Sequence, residues 1–268
     1  MTQLNNPIEI LKLLDKSNCK KCNEPTCLAF AAAVSRGQKM LGECPNLEED
    51  IIRQFGEESQ DRKSSDWDTE EILNRLKGRV NGVDLAAAAK RIDAAYKDGK
   101  LILKVCGKNF GVDSKGNFSS EIHIHSWLAL PVLNYILEGE GVDPSGEWIP
   151  FRELKGGKDW ARFFEHRCEK PMKKVADSYP DLFADMLHIF AGRQVERHFD
   201  SDISLVLYPL PKVPILICYW RPEDDLESDF HLFFDSTAVN NLKIDSIYTL
   251  TTGLTIMFEK IALRHGLE

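Results

Sequence analysis

Cys19-Lys20-Lys21-Cys22-Asn23-Glu24-Pro25-Thr26-Cys27, followed after sixteen residues by Cys44-Pro45, is the stretch that sets apart the beginning of this chain. Of seven cysteines in 268 residues, four fall within the first 44. An odd total so unevenly distributed argues for ligation over a disulfide framework. A cubane iron–sulfur cluster takes four thiolates around a compact core, and three of them can come from one loop with the fourth from farther along the chain. The spacing therefore predicts one [4Fe-4S] cluster held by Cys19, Cys22, Cys27 and Cys44. A four-cysteine zinc site is a rival, but such sites usually show two paired-cysteine knuckles, and Cys27 and Cys44 are unpaired. Four unrelated buried thiols is the remaining reading.

The surroundings suit a ligand loop. Pro25-Thr26 reads as a turn and N-cap, which puts Cys27 in the first turn of a helix over Leu28–Arg36 that Gly37 breaks before the chain returns to Cys44. A Cys-Pro ending is also found in bacterial ferredoxin runs. Upstream, Asn6, Pro7 and Glu9 supply a cap, a first-turn proline and a capping glutamate. Ile8, Leu11 and Leu14 then give a short helix an apolar side. Lys20 and Lys21 place positive charge beside an anionic thiolate site, although exposed charges are screened.

The run Cys-x2-Cys-x-x-Pro-Thr-Cys-x-Ala-Phe-Ala, with a later Gly and Cys-Pro, resembles the iron–sulfur domain of the corrinoid iron–sulfur protein large subunit. That protein is the gamma subunit of the acetyl-CoA decarbonylase/synthase complex, and the electron-transport ferredoxin component of the Rnf complex carries a similar domain. The matching positions are Cys19, Cys22, Pro25, Thr26, Cys27, Ala29, Phe30, Ala31, Gly37, Cys44 and Pro45. Asn23 stands where those families have Gly, and Asn tolerates the left-handed backbone such a turn needs. The resemblance implies a cluster and redox competence. It does not carry methyl-transfer chemistry, because no Asp-x-His-x-x-Gly cobalamin signature is present.

Glu57 to Asp66 is polar throughout and reads as a linker. It divides a cluster-binding domain at residues 1–58 from an α+β domain at 66–268. In the latter, Asp68 with Glu71 makes a capping-box pattern, and a helix from Asp84 through Tyr96 is stopped by Gly99. Gly107-Lys108-Asn109 and Asp113–Asn117 read as turns in a meander of three strands from Leu101 to His125. Leu128–Leu137 is a buried helix with Pro131 in its first turn. Helices recur at Trp160–Cys168 and Asp181–Ala191. Strands follow at Ile203–Tyr208, Ile215–Trp220 and His231–Asp235, and a long helix at Asp245–His265. Short hairpin-linked strands predict a mainly antiparallel sheet packed with helices. Leu133-Asn134-Tyr135, Gly146–Leu154 with Gly156-Gly157, and Val213-Pro214 through Trp220 to Phe234-Asp235 resemble a domain of unknown function from anaerobic bacteria and archaea. That resemblance brings no known activity.

With 42 acidic against 34 basic residues and a net charge of −8, a nucleic-acid partner is disfavoured. The first residues lack a signal-peptide pattern, and the apolar runs Leu128–Leu133 and Pro214–Trp220 fall short of a bilayer span, so a cytoplasmic protein is expected. His123 and His125 alternate on one strand and share a face, with no third ligand placed beside them. Cys106, Cys168 and Cys218 are scattered and suit the core. The acidic run Glu223–Asp229 reads as a solvated loop, and Arg152 with Glu153 marks a pocket in the second domain. No catalytic arrangement supports an enzyme. The reading is an electron-transfer protein with a redox protein partner in anaerobic one-carbon or corrinoid metabolism; the rival is a binding module in which the cluster staples a small domain.

Overall fold

The computed structural model describes residues 7–35, 39, 41–48, 51–52, 64–179, 181–223 and 226–265. The chain divides into two compact units, Met1–Ile72 and Leu73–Glu268. Gly37 and the linker residues 57–63 lie outside the described residues, while Ser64, Ser65 and Asp66 already belong to a helix.

The first unit contains α1 (Pro7–Leu13) and α2 (Cys27–Ser35), with a 3-10 turn at Leu41–Glu43. Its core is small: Ile10 and Leu14 meet Phe30, Ala31, Val34, Leu41 and Leu47, with Cys27 and Cys44 among them.

The second unit is α+β, as the hairpin pattern predicts. α3 (Ser64–Val80) leads in, so Asp68 stands within a helix that starts four residues earlier. α4 (Leu85–Arg91) is capped by Asp84, whose carboxylate accepts from the amides of Ala86 at 2.9 Å and Ala87 at 3.0 Å. This helix ends well before Gly99. Asp93 takes the left-handed conformation (φ 57°), and the Ala94 amide returns to the Ala89 carbonyl at 2.8 Å, which closes the helix in the manner of a Schellman motif. The residues expected to extend it form a strand, and Asp98-Gly99 is the two-residue turn of a hairpin, both at positive φ (50° and 75°).

The first sheet has four strands in the order β1 (Ala95–Lys97), β2 (Lys100–Val105), β3 (Lys108–Asp113) and β4 (Phe118–Ser120), all antiparallel. The meander therefore gains a strand at its start and stops at Ser120, short of His125. The turn after β2 falls at Cys106-Gly107, one residue earlier than its glycine suggested, because Cys106 itself is left-handed (φ 46°).

α5 (Ser126–Glu138) starts two residues before the apolar run, which leaves Pro131 in its second turn and not its first. At its far end Arg91 donates to the carbonyls of Ile136 and Gly139, both at 2.6 Å, and satisfies acceptors that a helix terminus leaves open. β5 (Trp148–Pro150) passes into a 3-10 turn at Phe151–Glu153. α6 (Ala161–Phe164), a π turn over Glu165–Glu169 and α7 (Lys170–Ser178) follow, then α8 (Leu182–His188), β6 (Arg193–Gln194), β7 (Ile203–Leu210), β8 (Val213–Trp220) and β9 (Asp229–Asp235). α9 (Ala238–Asn241) and α10 (Ile244–His265) close the chain.

The second sheet is antiparallel in the order β5-β9-β8-β7-β6. Alternation sorts its side chains: Leu205, Leu207, Ile215, Ile217, Leu232 and Phe234 join the main core, where Leu250, Leu254 and Phe258 of α10 and Met172 of α7 lie. The opposite face carries Val206, Leu216 and Cys218, flanked by Trp148, Tyr208, Trp220 and Phe233. Among the described residues no helix is long and apolar enough to cross a membrane.

Asp235, at the end of β9, is fully buried. Burial opposes its ionised form. Donors from Thr237, Ser145 and Gly146 outweigh that cost and hold the carboxyl below the usual aspartate range. Its two oxygens accept from the Gly146 amide at 2.6 Å, the Ser145 and Thr237 amides at 3.0 Å each, and the Thr237 hydroxyl at 2.7 Å.

Two substitutions probe this packing. A Cβ added at Gly253 of α10 would meet the Trp127 ring of α5, so Gly253→Ala should cost ~2 kcal/mol in urea unfolding of the second unit, followed by tryptophan fluorescence. Asp235→Ala should cost about 3 kcal/mol at pH 7, since several buried donors lose their acceptor. The folded pKa is depressed, so this stabilisation is present above the unfolded value of about 4 and is lost as pH falls through the folded one. The gap between wild type and variant should narrow in unfolding curves taken below about pH 4.

Candidate functional site

The four N-terminal cysteines lie in the first unit, and all are free thiols. Cys27 opens α2, because Thr26 caps that helix: its hydroxyl accepts from the Ala29 amide at 3.0 Å. Cys27 and Cys44 are buried in the small core, and Cys22 packs against it. Cys19 and Cys22 are half-exposed on the polar loop above.

The loop backbone is bent repeatedly into the left-handed region, at Lys16 (φ 57°), Asn18 (50°), Lys20 (61°) and Asn23 (61°). Asn23, which replaces the glycine of the resembled families, does adopt that conformation, and its amide closes a turn on the Lys20 carbonyl at 3.0 Å. Turns of this sort direct successive amides inward, which makes a concave surface suited to anionic sulfur. Asn18 shows the effect: its amide donates to Cys27 Sγ at 3.3 Å while its side-chain carbonyl accepts from the Cys27 amide at 2.7 Å.

A second asparagine completes the arrangement. Asn46 donates through Nδ2 to Cys19 Sγ at 3.6 Å and to Asp15 Oδ2 at 2.8 Å. The Lys21 amide, aided by the Ser17 hydroxyl, draws the Cys19 thiol below its ordinary range, whereas burial pushes Cys44 up. Lys39 ties the two segments together, donating to the Cys22 carbonyl at 2.6 Å and standing 3.6 Å from Glu43. Asn18, Lys39 and Asn46 were not singled out in the sequence; their positions next to the ligand run and just after Cys44-Pro45 were the available signal.

Among the described residues no three His, Cys, Asp or Glu side chains are gathered closely enough to hold a single metal ion. Four cysteines, with N–H donors on the sulfurs of Cys27 and Cys19, form a thiolate-rich donor set that suits an iron–sulfur group.

The other candidates separate. His123 and His125 follow β4 outside any strand, yet their rings meet edge to face at 4.2 Å, with Trp127 beyond. Burial, with His123 and Lys260 nearby, lowers the His125 pKa. Cys106 and Cys168 are core thiols that burial pushes up to about 12, and burial raises Cys218 as well. Of the acidic run, Asp224 and Asp225 lie outside the described residues. Arg152 borders a cleft in the second unit, and its nearest acid is Glu153 at 3.8 Å.

Two family models match separate parts of the chain. Residues 14–46 match a family model described as "Putative Fe-S cluster". The corrinoid/iron-sulfur protein large subunit of Moorella thermoacetica is 50% identical over 38 residues, 14% of this chain and 8% of that protein. The acetyl-CoA decarbonylase/synthase complex subunit gamma of Methanocaldococcus jannaschii is 45% identical over 40 residues, 15% of this chain and 8% of its own. Subunit gamma 1 of Methanosarcina thermophila is 40% identical over 45 residues, 17% and 10% of the two chains. The chain thus spans no more than a tenth of the length of these curated relatives. No solved structure matches it. Residues 84–257, well over half of the chain, match the model "Domain of unknown function (DUF3786)", and the chain belongs to that family, with an iron–sulfur cluster domain related to corrinoid iron–sulfur proteins preceding it.

Proposed function

We propose that Cys19, Cys22, Cys27 and Cys44 hold one [4Fe-4S] cluster and that the protein is an electron-transfer accessory with a redox protein partner in anaerobic one-carbon or corrinoid metabolism. The observation that carries the reading is the split exposure of the four thiols: Cys27 and Cys44 are buried, Cys19 and Cys22 half-exposed on a polar loop. A cluster bound this way supplies a one-electron couple at the surface. The residues around it do the rest. The Asn18 amide and the Asn46 side chain donate to sulfur, which favours the more negative state of the site. Thr26 and Asn18 fix Cys27 at the start of α2, where the helix dipole favours negative charge. The names of the relatives supply the metabolic setting.

A structural staple is the second reading, favoured by the first unit's core cluster, in which, among the described residues, Cys27 and Cys44 are two of nine buried members.

Protein purified without oxygen should be brown and carry about four irons per chain, and Cys27→Ala should lose most of that iron. Stoichiometric zinc with no visible absorption would remove the cluster. Potentiometric titration followed by EPR separates the two readings. An electron-transfer site should show a reversible couple at the low end of the range of about −700 to +450 mV. Lys20→Gln with Lys21→Gln should lower the midpoint and slow reduction by an acidic ferredoxin. Failure to recover the oxidised spectrum after one cycle would leave only the staple.

A further inference from the structure

β9 loses its neighbour halfway along. β5 pairs with Phe233, Phe234 and Asp235, and after Pro150 the chain turns away, so among the described residues the edge from Leu232 back to Asp229 has no strand beside it. Across that gap stands the π turn Glu165–Glu169. Its origin is local: the Lys170 amide reaches back five residues to the Glu165 carbonyl, and Pro171, which has no N–H, widens the turn at the start of α7. Between edge and helix lies a cavity of ≈ 620 Å³ with Pro150, Phe151, Phe164, Phe230 and Phe233 on its apolar side. That size suits a small organic molecule.

The charges around it are unequally matched. Lys170 pairs with Glu165 at 2.8 Å and Lys173 with Asp177 at 2.9 Å. His231 stands between two carboxylates, Nδ1 3.4 Å from Glu169 and Nε2 3.2 Å from Asp229. With both ring nitrogens engaged, His231 fixes these two carboxylates on the cleft wall. The acids of the cleft are thereby taken. The Arg162 side chain makes no hydrogen bond or close ion pair among the described residues, although its charge helps to hold the neighbouring Glu165 carboxyl down, and the Arg152 guanidinium meets only Glu153, at 3.8 Å and outside the cavity.

We infer that this cleft binds a small organic oxyanion, its carboxylate or phosphate on Arg152 and Arg162 and its apolar body against Phe233 and Pro150. Guanidinium groups offer paired donors that match either oxyanion, and an apolar wall beside them selects an organic ligand over an inorganic ion. An added peptide strand is disfavoured. The Leu232 amide on the open edge already donates to Glu169 at 3.1 Å, and the Phe230 amide to the Asp229 side chain at 2.8 Å, which removes the donors that strand addition requires.

Calorimetric titration of the full chain, purified without oxygen, tests this with phenyl phosphate, benzoate, inorganic phosphate, neutral benzyl alcohol and a short acidic peptide. One of the two organic anions should bind once per chain, and which one does so names the oxyanion. Replacing both arginines, Arg152→Gln with Arg162→Gln, should weaken it at least about tenfold, as loss of charge-assisted bonds requires. Both side chains are exposed, so the melting temperature should not move; Arg75→Gln, outside the cleft, should leave binding unchanged. Absence of heat from both organic anions at millimolar concentration overturns the inference. So does binding unaltered in the double variant, equal binding of benzyl alcohol or inorganic phosphate, or binding of the peptide alone.

Discussion

A buried carboxylate that ionises must find its donors inside the protein, and Asp235 does so by drawing the chain around itself. Its oxygens hold the Ser145 and Gly146 amides on one side and Thr237 on the other. This fixes where β5 enters the sheet, opposite Asp235 itself. The adjoining joint is satisfied in the same way. Asn241, also buried, accepts from the Gly141 and Val142 amides and donates to the Val142 and Lys212 carbonyls. The Tyr135 hydroxyl donates to the Ile92 carbonyl and accepts from the Lys212 amide. A segment without regular structure between α5 and β5 is thus pinned by Asp235 and Asn241, with the Lys212 ammonium donating to the Gly141 carbonyl, while Tyr135 ties Lys212 itself in place. Because β5 starts at a fixed place and is three residues long, the rest of the β9 edge stays open. The cleft is a consequence of that anchoring.

Much of the second unit was legible. β7, β8, β9 and α10 follow from β-branched runs, a proline-rich turn and an apolar stripe at helical spacing. The misreadings share a cause, which is that one residue type serves two kinds of boundary. Gly99 fits a helix end as well as a hairpin, and the decision lay with Asp93, whose left-handed conformation closes α4 where a glycine is more usual. Pro131 reads as a first-turn residue by local sterics, yet the helix extends to Ser126 because Trp127 packs on Gly253, a contact that sequence neighbours cannot reveal. β5 is too short to show alternation, and only pairing with β9 makes it a strand.

The cysteine site divides along the same line. Ligand spacing is local and was visible at once. The polar groups that reach the sulfurs come from Asn18, nine residues before Cys27, and from Asn46, twenty-seven after Cys19, and no local rule links them. The cleft was harder still. Glu169 and His231 stand sixty-two residues apart, and of all the residues lining the cavity only Arg152 stood out in the sequence as part of a pocket.

Charge placement gives the proposed electron-transfer role a direction. The chain as a whole carries −8, which opposes approach by an acidic protein. At physiological ionic strength, however, exposed charges act over only about 8 Å, so a partner near the ligand loop experiences mainly what lies within that distance. There Lys16, Lys20 and Lys21 are exposed beside the half-exposed Cys19 and Cys22. Lys39 is turned inward to the Cys22 carbonyl and the Glu43 carboxylate, so it steadies the loop and adds little to the surface field. The exposed lysines share this loop with the Asp15 carboxylate, which also acts on Cys19. For the proposed role these lysines favour approach of an acidic carrier at the thiols, while repulsion elsewhere on the anionic chain disfavours other orientations.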